Sequence, residues 1–530
     1  MLFNSFEFIL LFLPITLFGC FALKRFVGTR GAMVWLGIMA VVFYGAWNPR
    51  DIVVLAVSVG VNFTFANLLA ISPRSRDRWV LAAAMAFNLG LLGYFKYWNF
   101  LIENVNAITG AGVGHADIVL PLAISFFTFT QVAILIDLWR DKGTRYTFLE
   151  YANFVLFFPH LIAGPIIYHK DTIPQFWKPA AFSPRVRQLT AGTAIFLIGL
   201  AKKVVIADTV AQFASPVFDA ALNGQSPDFF MAWQGTLAYT FQLYFDFSGY
   251  SDMAIGLAFM LGIRLPVNFF SPYKAANIID FWRRWHISLS RFIRDYVYIP
   301  LGGNRRGPGR QTLNVMATML LVGLWHGAGW TFVVWGGVHG VMISANHVWR
   351  KVHAKLAFLP HGTAATRAAA RITTFLCVIW AWVLFRAESF DAAISIYRGM
   401  LGSFGAKLPE AIANALPLPA SLLAKTGVTV HAGGGLDFAL AWGSIAILLV
   451  VVNFVPNTIE LFRHYRPALM QAMQGGPTEI ASARQLGRVA RWQAFAPSAG
   501  WALAACTLTI ACFAVLIGGF GSGEFIYFQF

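Results

Sequence analysis

Charge is what this sequence has least of. Of its 530 residues only 12% are Asp, Glu, Lys or Arg, against about 25% in soluble domains, and that shortage excludes a soluble fold. Cysteine is almost as scarce: Cys20, Cys377, Cys506 and Cys512 all fall inside apolar stretches without metal-ligand spacing, so they read as packing residues and no metal is expected. There is no GxSxG elbow, no HExxH pair and no Walker loop, so no serine nucleophile, zinc site or ATP site of those types is expected. The first apolar run, Phe8 to Leu23, lacks a basic leader and a small-residue cleavage site, which reads as a retained span rather than a removed signal peptide.

What the chain has in abundance is hydrocarbon. Hydrophobic residues make up 58%, and charge-free runs such as Ala32 to Trp47, Ile52 to Ile71, Ile118 to Ile136 and Phe438 to Phe454 are near the ~20 residues that span a bilayer core. Many of the 50 Phe and 18 Trp sit near run ends, as interfacial belts do. The net charge of +17 is dispersed over short connections, so it reads as positive-inside topology rather than nucleic-acid binding.

Loop charge sets an expected orientation. The first seven residues hold one acid, Glu7, and no Lys or Arg, which puts the N-terminus outside. Lys24, Arg25 and Arg30, then Arg74, Arg76 and Arg78, fall inside; Asn48 to Asp51 between them is balanced and falls outside. The same rule puts Arg350 to Arg371 inside, Glu388 to Gly434 outside, His464 to Arg491 (with Arg466, Arg484, Arg488 and Arg491) inside, and the Phe525 to Phe530 tail outside. Asn153 to Tyr168 contains Pro159, His160, Gly164 and Pro165, a helix-breaking set expected to form a re-entrant or kinked segment beside a polar interior. The expected fold is an all-α polytopic membrane protein of roughly ten to twelve spans. One membrane-embedded domain over 1–530 is expected, with a catalytic core at about 120–345 and C-terminal helices over 371–525.

Ionisable groups inside spans mark functional candidates, and here they cluster between Gln242 and His339. Asp246 and Asp252 lie about 120° apart on a helix, so each is expected to cap or to pair with an Arg rather than to form a dyad. Phe281 to Tyr298 reads as one amphipathic helix, with Trp282, Trp285, Leu289, Phe292, Ile293 and Tyr296 on its apolar stripe and Arg283, Arg284, Arg291 and Arg294 opposite. His286 lies at the stripe margin near Trp282 and Ser290, and either points inward to a chemical role or is a hydrogen-bonded structural residue. Leu301 to Arg310 is a glycine-rich basic loop, which either holds a cofactor's phosphates through Arg305, Arg306 and backbone amides or simply anchors the cytoplasmic side. Leu321 to Gly340 places His326 and His339 in an apolar span, with Gly323, Gly327, Ala328 and Gly329 around His326. Those small residues allow close helix contact or a narrow tunnel, and either histidine could instead tie two helices together. A neutral imidazole at this depth can take a hydroxyl proton as the oxygen attacks a thioester, which is acyl-transfer chemistry.

QLYFDFSGYSDMAIGLAFMLG from Gln242, FWRRWHISLSRFIRDYVYIPLGGNRRG from Phe281 and GLWHGAGWTFVVWGGVHG from Gly323 resemble the membrane-bound O-acyltransferase family, in particular the branch of the alginate O-acetyltransferase membrane subunit. Shorter matches are GYFKYWNF at Gly93, FPHLIAGPI at Phe158 and KKVVIAD at Lys202. The resemblance implies a ring of tilted helices with re-entrant segments around a central tunnel, His326 as the catalytic residue and His286 as the second signature position. It also implies no bound cofactor, an acetyl-CoA or similar acyl thioester donor from the cytoplasm, and a polysaccharide acceptor served with a periplasmic partner protein. Trp325, Ser290, Asp295, Tyr298, Asn304, Arg305 and Arg306 complete the expected donor- or substrate-binding set. The loops Leu401 to Thr429 and Arg463 to Ala494 match no signature of the family. Within it, D-alanyl or peptidoglycan acyl transfer is the alternative; outside it, a transporter with an intramembrane His/Asp path.

Overall fold

The computed structural model describes residues 1–71, 73–353, 363–415, 427–469, 495–519 and 525–526; Arg484, Arg488 and Arg491 lie outside the described residues. A chain this apolar must satisfy its backbone within each segment where no water reaches, and it is helical almost throughout. The departure is small: β1 (Ala406–Pro409) and β2 (Val428–His431) pair in parallel within the long loop after Glu388.

Seven helices among the described residues are long and apolar enough to cross a bilayer: Glu7–Phe26, Asp51–Ile71, Ser75–Thr109, Val186–Leu222, Ala364–Arg386, Gly435–Phe454 and Ala499–Ile517. Their outer faces carry exposed residues such as Val53, Leu440 and Leu503, as lipid contact requires. Cys377 and Cys506 also face outward, so only Cys20 and Cys512 are the packing residues expected of all four. Further long helices near the centre carry polar and aromatic side chains instead, which accounts for part of the difference from the ten to twelve spans expected.

In chain order α1 (Leu13–Phe26), α2 (Thr29–Gly45) and α3 (Asp51–Ile71) lead into α4 (Arg74–Leu92) and α5 (Trp98–Thr109), which are joined through a π-turn at Gly93–Tyr97. After α6 (Ile124–Arg140) comes the expected re-entrant stretch. A capping box starts α7 (Phe148–Leu156): the Thr147 hydroxyl accepts from the Glu150 N–H at 3.3 Å and the Glu150 carboxylate accepts from the Thr147 N–H at 2.8 Å. The helix breaks at Phe157, restarts for one turn as α8 (Phe158–Leu161), and then runs buried and irregular to α9 (His169–Phe176). Its backbone is tied to protein as required, with the Ile166 N–H donating to Ser288 Oγ at 3.0 Å.

At the centre lies α12 (Phe229–Met260), buried at every residue from Leu243 to Met260. It packs against α10 (Val186–Ala201) through two reciprocal glycine pairs. A Cβ on Gly249 would sit 2.7 Å from the Gly199 carbonyl oxygen, and one on Gly256 would sit 2.6 Å from that of Gly192, so only glycine permits this approach. A π-turn at Lys202–Ala207 joins α10 to α11 (Asp208–Leu222) and delivers two lysines onto α12. Lys203 lies 2.8 Å from Asp246 and 2.7 Å from Asp208, while Lys202 lies 2.6 Å from Asp252, which also accepts from Thr458 at 2.6 Å. The two aspartates are thus paired separately, but with lysine and not with the arginine expected: in a dry interior the partner is whichever cation the packed helix supplies. Two residues of the tail are described, and both pack inward. Phe525 and Ile526 are buried against α12, with Phe525 stacked on Tyr250 at 4.7 Å and the Ile526 N–H donating to Asp246 at 3.0 Å.

Gly249→Ala is expected to destabilise the folded protein by about 1–3 kcal/mol through overpacking. Gly443→Ala, on the lipid-facing Gly435–Phe454 helix with no atom near its added Cβ, should leave the unfolding midpoint level or slightly raised. Thermal unfolding of detergent-purified protein checks both.

Candidate active site

The Gly323 to Gly340 segment forms the turn of a helical hairpin between α15 (Gly307–His326) and α16 (Trp330–His353). The close-contact reading of its small residues holds here. Gly323 and Gly336 bring the two backbones together, since a Cβ on either would collide with a carbonyl of the facing helix, Phe332 or Met319. His326 is the last residue of α15 and is 2% exposed. Its ring sits among Trp325 at 4.8 Å, Trp335 at 5.2 Å and Phe385 at 5.1 Å.

His286 reaches the same place from a different element. The single amphipathic helix expected over Phe281 to Tyr298 does not form. Instead α13 (Ile278–Trp282) stops, the chain turns, and α14 (Ile287–Ile293) restarts before a π-turn at Arg294–Tyr298. The turn is made at His286, which has φ +43° in the left-handed region, an unusual and strained choice for a side chain with a Cβ. Periodicity over Trp282 to Tyr296 carried no sign of this, because a left-handed residue leaves the apolar spacing on either side intact. Asn268 holds the turn: its Oδ1 accepts from His286 Nδ1 at 3.1 Å and from Ser288 Oγ at 2.9 Å, and its backbone carbonyl accepts from the Ile287 N–H at 2.9 Å. Because an amide oxygen only accepts, Nδ1 carries the proton and Nε2 is the basic nitrogen. The His286 ring is fully buried, 6.5 Å from the His326 ring and 6.1 Å from Trp325.

A cavity of about 110 Å³ opens beside His326, lined also by Trp325, Lys96, Ser125, Phe126 and Ile162. The sequence signals Lys96 only as a lysine between aromatic residues in an apolar run. Its Nζ donates to the carbonyls of Trp325 at 2.6 Å and His326 at 3.4 Å. A second, larger cavity of about 590 Å³ lies beyond Phe385, lined by Gln242, Gly329, Arg386 and Ile526 among others.

The other expected residues divide. Trp325 is at the site. Ser290 and Tyr298 line a separate apolar cavity of about 170 Å³ that follows α15 from Val315 to Val322, one turn short of His326. Asp295 is committed to Arg294 at 2.8 Å and lies near Arg291 at 3.8 Å. Asn304, Arg305 and Arg306 are exposed at the start of α15, and its 20 residues put them ~30 Å from His326. The basic loop therefore does not join the two histidines. His339, fully buried, accepts from Trp282 Nε1 at 3.2 Å and so ties α16 to α13, the helix-linking alternative.

Two histidines from separate elements thus lie with their rings 6.5 Å apart in the interior of a polytopic helical protein, and one of them lines a cavity. The membrane-bound O-acyltransferase family model matches residues 116–385. A peptidoglycan O-acetyltransferase of Helicobacter pylori is 40% identical over 439 residues, covering 77% of this chain and 81% of the relative. A probable alginate O-acetylase AlgI of Pseudomonas aeruginosa is 41% identical over 420 residues, covering 76% and 75%. A teichoic acid D-alanyltransferase of Streptococcus thermophilus is 30% identical over 236 residues, covering 43% and 57%. The chain belongs to the membrane-bound O-acyltransferase family and is a multi-pass membrane acyltransferase.

The turn at His286 is testable without any substrate. His286→Asn is expected to keep near-native stability, because Asn tolerates the left-handed region. His286→Val, β-branched, should lose about 1–2 kcal/mol or more, read as the difference between their unfolding midpoints.

Proposed function

We propose that the protein moves an acetyl group from a cytoplasmic thioester, acetyl-CoA or a similar donor, across the inner membrane for O-acetylation of a periplasmic or extracellular polysaccharide. The observation that carries the reading is the convergence of His286 and His326, 6.5 Å apart, beside a cavity that His326 lines. In the reaction His326 takes the proton of the attacking hydroxyl as the oxygen adds to the thioester carbonyl. Collapse of the tetrahedral species expels the thiolate, which recovers that proton. His286, fixed in one tautomer by Asn268, orients or assists.

Loop charge supports a direction for transfer. With the N-terminus periplasmic, the basic loop at Asn304 to Arg306 faces the cytoplasm and the turn at Gly327 to Gly329 faces outward. The basic loop would then receive an acidic donor head, and the apolar cavity lined by Ser290 and Tyr298 would pass its acyl arm along α15 toward His326. The 590 Å³ cavity beyond Phe385 suits an acceptor or the partner protein that presents it.

The relatives' names support an envelope polysaccharide as the final acceptor. Peptidoglycan stands beside alginate-like or cellulose-like polymers, because the Helicobacter pylori relative is as similar as the alginate ones. A transporter path is disfavoured by the aspartates, since Asp246 and Asp252 are each paired with a lysine.

His326→Ala is expected to lower transfer by ~10²–10⁴-fold, the contribution of a positioned general base, while the protein inserts and accumulates normally. Mass spectrometry of envelope polysaccharides from cells fed labelled acetate checks this and names the polymer; undiminished acetylation in the variant would remove His326 as the base.

A further inference from the structure

A helix that ends inside a membrane protein leaves its last four carbonyls without intrahelical partners, and lipid supplies none. At the end of α15 all four can be accounted for. The Gly323 carbonyl accepts from the Gly327 N–H at 3.3 Å. That of Leu324 accepts from the Tyr97 hydroxyl at 3.0 Å, that of Trp325 from Lys96 at 2.6 Å, and that of His326 from Lys96 at 3.4 Å. Three of the four are therefore served by two consecutive residues of a helix more than 200 positions earlier. Gly327 is extended, with φ −158° and ψ +146°, so the chain makes no left-handed cap of its own there.

The donors are consecutive because they lie on the π-turn Gly93–Tyr97, whose wider winding lets adjacent side chains approach one helix end. Such turns recur at functional sites. A cation at a helix C-terminus is also favoured by the helix dipole. Lys96 makes no ion pair with a carboxylate among the described residues, and it lines the cavity with His326. A lysine in a membrane interior without an acid is costly, and structural packing alone would be served by an apolar residue.

We propose that Lys96 and Tyr97 are positioning residues for His326: they clamp the last turn of α15 and so fix where its imidazole stands relative to His286 and the cavity. The proposal rests on the acyl-transfer reading for its catalytic consequence but not for the clamp itself. Neither residue need touch the reacting atoms. Misplacing a catalytic group by an ångström can slow a reaction ~10²-fold, so the loss should fall on turnover and not on donor affinity.

The test uses the full-length protein in proteoliposomes, with acetyl-CoA and de-O-acetylated alginate as probes. Thiol release gives kcat and KM, and mass-detected amide exchange reads Val322 to His326. Lys96→Met is expected to lower kcat by ~10- to 100-fold with the KM for acetyl-CoA within about twofold. Lys96→Arg should recover much of the loss, and Tyr97→Phe should give a smaller fall of the same kind. Exchange at Val322 to His326 should quicken several-fold in Lys96→Met and less in Tyr97→Phe, which also serves if Lys96→Met does not fold. Unchanged exchange in both variants overturns the clamp whatever the activity. Quickened exchange with wild-type kcat, or a loss confined to KM, overturns the positioning role. If the wild-type protein releases no thiol, the donor assignment fails instead, and the exchange data still decide the clamp.

Discussion

The arrangement depends on one constraint, that a polar group withdrawn from water must find its partner in protein. The end of α15 states it most sharply, because the helix stops where its carbonyls meet neither solvent nor another turn. Lys96 and Tyr97 resolve that problem, and in doing so tie the α4–α5 segment to the residue that lines the cavity. The same constraint recurs at Asn268, which holds both the side chain and the following backbone of the His286 turn, and at the lysine–aspartate pairs between the Lys202–Ala207 π-turn and α12. Each is a local solution to desolvation, and the first two set the positions of His326 and His286.

Close packing makes those solutions reachable. The glycine contacts of α10 with α12 bring the backbones near enough for Lys202 and Lys203, at the end of α10, to reach the aspartates of α12. A larger residue at these places would open the pair and leave a buried charge without its partner, so a steric fault would become an electrostatic one. The strained turn at His286 is supported in the same way. Asn268, Ser288 and the irregular segment at Ile166 form a continuous set of hydrogen bonds around it.

Much of this was legible in the amino acids. Scarce charge and long apolar runs imply crossing helices, and Pro159, Gly164 and Pro165 mark a segment that cannot be one. The histidine-bearing motifs name His286 and His326, and the glycines around His326 announce a tight helix contact. What stayed hidden depends on geometry that periodicity does not encode. A left-handed residue splits the expected helix at His286 without disturbing its apolar spacing. The basic loop was expected to share in donor binding, yet the 20-residue helix α15 separates it from His326 by most of a membrane's thickness. Lys96 was overlooked because its partners are backbone carbonyls, which have no sequence signature, and the lysine partners of Asp246 and Asp252 sit on another helix.

The pairing of Lys202 also bears on how the chain enters the membrane. Its carboxylate partner, Asp252, follows 50 residues later, so the helix carrying the lysine leaves the ribosome well before its counter-charge. A lone lysine at mid-membrane is disfavoured by about 2.5–3.5 kcal/mol on insertion scales, and α10 therefore gains from waiting beside the translocation machinery until α12 arrives. Release of these helices as one neutralised unit would avoid that cost, which makes the order of synthesis relevant to a charged interior.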